Sequence, residues 1–113
     1  MKDSGAEPEM QSVKRKIRNR YLEKLKELTL AALKGEEVKI ILFGSRARQD
    51  HHSTSDADIG LIPYGNLDRR KVVSLKERIE DLNIPYKVEI VDFSAVSEDF
   101  KKEAMKGAMV WRD

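Results

Sequence analysis

Two aspartates, Asp56 and Asp58, stand at alternate positions where an apolar run, Ala57 to Ile62, begins. An earlier run, Ile40-Ile41-Leu42-Phe43, passes straight into a Gly44-Ser45 pair. On a strand, positions i and i+2 point to the same face, so the two carboxylates would converge. Anions that close repel unless they share a proton or a cation. Oxygen-only ligands select a hard ion, which beside nucleotide phosphates means Mg²⁺, or Mn²⁺ in its place. A glycine ending a strand lets the backbone approach a ligand closely. A helix started at Ser45 would aim its free N–H groups at an anion, and the Ser45 hydroxyl adds a donor. Taken separately, each half also has a plainer account: a Gly-Ser turn after a strand, and a solvated acidic pair on a loop.

The elements that must position these groups can be read from the hydrophobic pattern. From Gln11 or Ser12 to about Lys34, apolar residues recur at helical spacing (Ile17, Tyr21, Leu25, Leu28, Ala32) among many charges. Ser12 is placed to cap this helix and Gly35 to stop it. The mixture of Lys and Arg with Glu23 and Glu27 reads as a solvated surface face. Val38 to Phe43 is continuous enough for a buried strand. Ser45 to about Gln49 predicts a short helix, and Asp50 to Thr54, with His51 and His52, a polar loop. Ala57 to Ile62 is the second strand, stopped by Pro63.

Asp68 to Leu82 predicts a helix capped by Asp68, with Val72, Leu75 and Ile79 inward, broken by Asn83-Ile84-Pro85. Tyr86 to Phe93 is the third strand. Alternation divides it into Val88, Ile90 and Asp92 on one face and Lys87, Glu89 and Val91 on the other. Ser94 to Lys106 is helical, capped by Ser94 or Ser97 and stopped by Gly107. Ala108 to Trp111 forms a final short strand or an extended tail. The expected class is α/β (α+β), with a small mixed sheet of three to four strands flanked by helices. Residues 1–11 are expected to be a disordered lead and 12–113 a single domain.

Composition excludes several functions. The chain has 113 residues, room for one core, and 37% of them are charged. A net charge of +2 is too small to argue for nucleic-acid binding by bulk electrostatics. With no cysteine, thiol catalysis and zinc–thiolate sites are excluded, which fits a cytoplasmic protein. No apolar stretch approaches the ~20 residues that span a bilayer, and the first residues lack a signal peptide's apolar centre. Met105, Met109, Val110 and Trp111 are apolar residues left over for a core plug, self-association or a partner.

The order Gly44-Ser45-x-Ala47-Arg48, a polar loop, then Ser55-Asp56-x-Asp58 and an apolar strand resembles the signature of the nucleotidyltransferase superfamily that includes DNA polymerase beta. It is most similar to the minimal nucleotidyltransferase (MNT) branch, and the likeness extends to the leading helix and the later strand carrying a third acid. The resemblance implies two Mg²⁺ ions held by Asp56, Asp58 and a third acid. It also implies an ATP triphosphate held at Gly44 and Ser45, with Arg48 and Ser55 beside it. The family's third acid is usually Asp; here the aligned residue is Glu89, with Asp92 as the alternative. Gln49 stands where the family usually has glycine. MNT domains are commonly the antitoxins of HEPN-domain proteins, some by attaching AMP to a tyrosine hydroxyl of that partner. The resemblance therefore implies transfer of a nucleoside monophosphate to a protein hydroxyl. Alternatives are an antitoxin that only masks its partner, or transfer to a small molecule.

Overall fold

In a computed structural model the chain is described over residues 9–44 and 56–113, with side chains from residue 20 onward within those spans. Helix α1 spans Glu9–Ala32, strand β1 Val38–Phe43, strand β2 Ala57–Pro63 and helix α2 Arg69–Asp81. Strand β3 (Val88–Asp92), a 3₁₀ turn (Phe93–Ala95), helix α3 (Glu98–Met105) and strand β4 (Met109–Arg112) complete it. The expected short helix and polar loop after Gly44 lie outside the described residues, as does most of the expected lead. Helix α1 begins at Glu9, ahead of Ser12, the residue expected to cap it.

The four strands lie in the order β3-β2-β1-β4. Strand β1 is central and antiparallel to both β2 and β4, while β2 and β3 run parallel with α2 connecting them. This is the mixed sheet flanked by helices that the sequence predicts. A central strand is covered on both faces, which is why Val38 to Phe43 reads as an unbroken apolar run.

Alternation splits that run between two cores. Val38, Ile40 and Leu42 join Ala57, Ile59 and Leu61 of β2 against Leu25 of α1, Leu33 just beyond its end, and Leu75 and Ile79 of α2. Each such fully buried aliphatic side chain contributes roughly 1.5–3 kcal/mol. Ile41 and Phe43 turn to the opposite face and pack with Phe93 and Ala104. Helices α1 and α2 thus close one face, and the 3₁₀ turn with α3 covers part of the other. Trp111 packs, half-buried, against the larger core.

The buried line of α1 is Leu25-Thr29, continued by Leu33 just past its end and shifted from the expected stripe; Leu28 and Ala32 are only partly buried. Thr29 can be interior because its hydroxyl donates to the Leu25 carbonyl at 2.7 Å, satisfying the polar group within the helix. The other caps arise locally. Asp68 accepts from the Arg70 N–H at 2.9 Å, and Ser97 from the Phe100 N–H at 3.1 Å. Between α1 and α2, Glu36 accepts from the Asp68 N–H at 2.6 Å and from Lys71 Nζ at 2.9 Å.

Candidate active site

The acids gather where β1 ends and β2 begins. Asp56 is exposed just ahead of β2, and Asp58 is half-buried as its second residue. The antiparallel register sets Asp58 against Phe43, the last residue of β1. Gly44 follows with a φ of 81°, the left-handed region that glycine reaches without cost. A Cβ at Gly44 would come within 2.5 Å of Asp58 Oδ2, so the bare backbone of the turn lies directly against that carboxylate.

The parallel register then sets Asp58 beside Glu89 of β3, so that the two carboxylates share a face. A hydrogen bond from the Ala57 N–H to the Lys87 carbonyl, 2.9 Å, ties the start of β2 to the approach of β3 and fixes that alignment. On the same face, two residues beyond Asp58, Gly60 leaves room for Phe93. A Cβ there would stand 2.7 Å from the Phe93 ring and 2.8 Å from Ile41 Cγ1. Phe93 meets Phe43 edge-on at a centroid distance of 5.3 Å, and Phe100 joins both.

These surroundings act on Asp58. Burial, then the negative charges of Glu89 and Asp56, hold its carboxyl above the usual carboxylate range, and the Lys87 cation opposes them. Lys87 Nζ lies 3.0 Å from Glu89 Oε1. That bond, the Glu89 charge, and the further pull of Asp56 and Asp58 raise the Lys87 ammonium above its ordinary value.

Asp92, the alternative third acid, is turned to another task. One oxygen accepts from the Ser94 N–H at 2.9 Å and the Ser94 hydroxyl at 2.6 Å, capping the 3₁₀ turn. The other pairs with the Arg69 guanidinium. Its register partner is Leu61, three positions beyond Asp58 along β2. Glu89, as alternation implies, is the acid that shares the site.

Of the residues singled out in the sequence, Gly44, Asp56, Asp58 and Glu89 are thus brought together. Ser45, Arg48 and Ser55, expected at the triphosphate, lie outside the described residues, as do Gln49, His51 and His52. Among the described residues no group of three His, Asp or Glu side chains is already drawn up to hold one ion; Glu89 is engaged by Lys87. The chemistry of the donors nevertheless fits a hard divalent cation. They are all carboxylate oxygens, and Asp58 carries repulsion that such a cation would relieve. Asp56 and Asp58 would hold it, with Glu89 completing the set.

Two features had no role assigned to them from the sequence. Lys87 falls on the Glu89 face by alternation, yet a lysine two positions before an acid is an everyday pattern. The second feature is a groove of about 760 Å³ along β3, lined by Lys76, Ile79 and Glu80 of α2, by Lys87 just ahead of the strand, and by Glu89 and Val91 within it. Among the described strands β3 is at the sheet's edge, and Glu89 is among the residues that line the groove there. Among the described residues, no helix is long and apolar enough to cross a membrane.

Residues 21–113 match the family model described as polymerase beta, nucleotidyltransferase. A Haemophilus influenzae protein, probable protein adenylyltransferase MntA, is 33% identical over 60 residues, covering 53% of each chain. The chain therefore spans about half the length of the curated relative it matches. Two solved structures share the fold. A toxin–antitoxin complex with AMP-PNP aligns with a TM-score of 0.56 at 22% identity, covering 81% of this chain and 70% of that one. The complex of a tri-AMPylated Shewanella oneidensis HEPN toxin with its MNT antitoxin aligns at 0.57 and 18% identity, covering 83% and 71%.

Proposed function

The chain belongs to the polymerase beta-type nucleotidyltransferase family, and from that premise we propose that it transfers AMP from ATP to a hydroxyl of a protein partner. The observation that carries this reading is the pairing of Asp58 with Glu89 across β2 and β3, with Asp56 beside them and Gly44 against Asp58. Three acids at the lip of a glycine turn can gather cations next to a phosphate chain.

In this reading Asp56 and Asp58 hold Mg²⁺ and Glu89 supplies the third carboxylate. When bound, the ions neutralise charge on the phosphates and lower the pKa of the attacking hydroxyl. The Gly44 turn lets main-chain N–H groups approach the triphosphate, with Ser45, Arg48 and Ser55 contributing their donors. Phe43, the register partner of Asp58, packs against Phe93 and Phe100 on the same face. Glu89 is among the residues lining the edge groove, so an acceptor hydroxyl lodged there could reach its carboxylate. Its oxygens can accept the hydroxyl's proton as the new phosphoester bond forms and pyrophosphate leaves.

The MntA relative's name is that of a protein adenylyltransferase, and one fold neighbour is a complex with an AMPylated HEPN toxin. The first supports AMP transfer to a protein, and the second supports a HEPN-domain toxin as the partner and an antitoxin role; such a reaction belongs in the cytoplasm, where ATP is available. The test is incubation of the protein with labelled ATP, Mg²⁺ and its co-purifying partner. Label on the partner that is lost with Asp56→Asn and Asp58→Asn supports the transfer. Neutralisation of the partner that survives both substitutions overturns it in favour of masking.

A further inference from the structure

We propose that Lys87 is the internal counterion of the acid cluster, its ammonium holding Glu89 in an ion pair that an incoming divalent cation must displace. This rests on the reading of Asp56, Asp58 and Glu89 as the cation-binding acids, and it adds a positioning residue that sets how readily the third position is loaded.

The geometry carries it. Lys87 stands immediately ahead of β3, two positions before Glu89, and its Nζ lies 3.0 Å from Glu89 Oε1. The main chain of Lys87 is anchored to β2 through its carbonyl, 2.9 Å from the Ala57 N–H. The ammonium thus springs from a fixed point beside both strands that carry the acids. Its side chain is 67% exposed and that of Glu89 46%. The pair is wet enough to open without stranding a buried charge, and an exposed pair of this kind is weak. The Lys87 charge also bears on Asp58, where it counters the repulsion from Glu89 and Asp56. A cation entering between Asp58 and Glu89 takes over that same task. Lysine and metal therefore compete for one carboxylate.

The experiment titrates the full chain with Mn²⁺ alone, without nucleotide, following free Mn²⁺ by electron paramagnetic resonance. Lys87→Met is expected to bind Mn²⁺ roughly two- to fivefold more tightly than the wild type, the span an exposed ion pair supports. Lys87→Arg, which keeps the charge, is expected to stay near the wild type. In a Glu89→Gln background the effect of Lys87→Met is expected to shrink to less than half, because the two residues act on one another. Thermal denaturation of each variant confirms an intact fold. Lys87→Met binding Mn²⁺ no more tightly than the wild type, or tightening equally with and without Glu89, overturns the proposal. If, in that case, the wild type binds Mn²⁺ and Asp58→Asn does not, the counterion role of Lys87 falls and the acids keep their assignment. If the wild type binds none, the assignment of the acids falls, and the proposal falls with it.

Discussion

The two faces of the sheet are built from the same strands and do opposite things. One face is dry: Ile40, Leu42, Ile59 and Leu61 are wholly buried beneath α1 and α2. The other holds a smaller aromatic and aliphatic cluster that stops short of the sheet's end, and there Asp58 and Glu89 stand side by side. Alternation along β2 sends Ala57, Ile59 and Leu61 to the first face, and Asp58 and Gly60 to the second. The lesson is a division of labour within single strands. The closed face supplies the stability that lets the open face keep like charges together.

The largest expected effect breaks the open face alone. Asp58→Asn should lower transfer at least ~100-fold, since loss of an outer-shell partner of a metal site already costs up to that much. It should leave the melting temperature unchanged or raised, because it removes a carboxylate that burial and its neighbours disfavour. Radiolabel transfer and thermal denaturation read the two halves of that expectation. The converse is Leu61→Ala on the closed face, expected to cost about 2–5 kcal/mol by urea denaturation. Its transfer rate per folded molecule should stay close to wild type.

Gly60→Ala should fall between these, since the added methyl meets Phe93 and Ile41, both held in the smaller core. Overpacking there is expected to cost about 1–3 kcal/mol. By shifting the neighbour of Asp58, the substitution should also slow transfer, so that both assays move together. The smallest effect is on pH dependence, and it belongs to the helical side. The Asp68 N–H and then Lys71 hold the Glu36 carboxyl below its ordinary range, and hydrogen bonds from Arg70 do the same for Asp68. Groups depressed on folding stabilise the protein above their unfolded pKa, and that contribution disappears as pH falls through the folded value. Acid titration of stability below about pH 5 should therefore be shallower in Glu36→Gln. An unaltered slope would assign acid sensitivity elsewhere.

Much of this was legible from residue order. Strand alternation placed Glu89 with Lys87 and Val91, away from Asp92, and the register of β2 with β3 put Glu89 beside Asp58. The elements were legible because their apolar residues recur at the period of the structure they form, and Asp68 and Ser97 are caps as their types predict. Where sequence fell short, a side chain had solved a local problem invisible to periodicity. Thr29 is polar by type but interior because it bonds within its own helix. Asp92 splits the expected Ser94–Lys106 helix by capping a separate 3₁₀ turn, so that α3 starts only after Ser97. The groove beside β3 depends on how α2 lies along the sheet edge, and no local pattern encodes that.

Two turns of the chain use glycine at nearly the same dihedral angle, and they differ in what a lineage could change. Gly35, at φ 84°, has nothing within 4 Å of where a Cβ would stand, so asparagine, which tolerates that conformation, could replace it by drift. Gly44, at φ 81°, has the Asp58 carboxylate in that space. Any other residue would push that carboxylate out of its place and would itself be strained at that φ. In a randomised library selected for activity, position 35 should diversify while position 44 returns glycine.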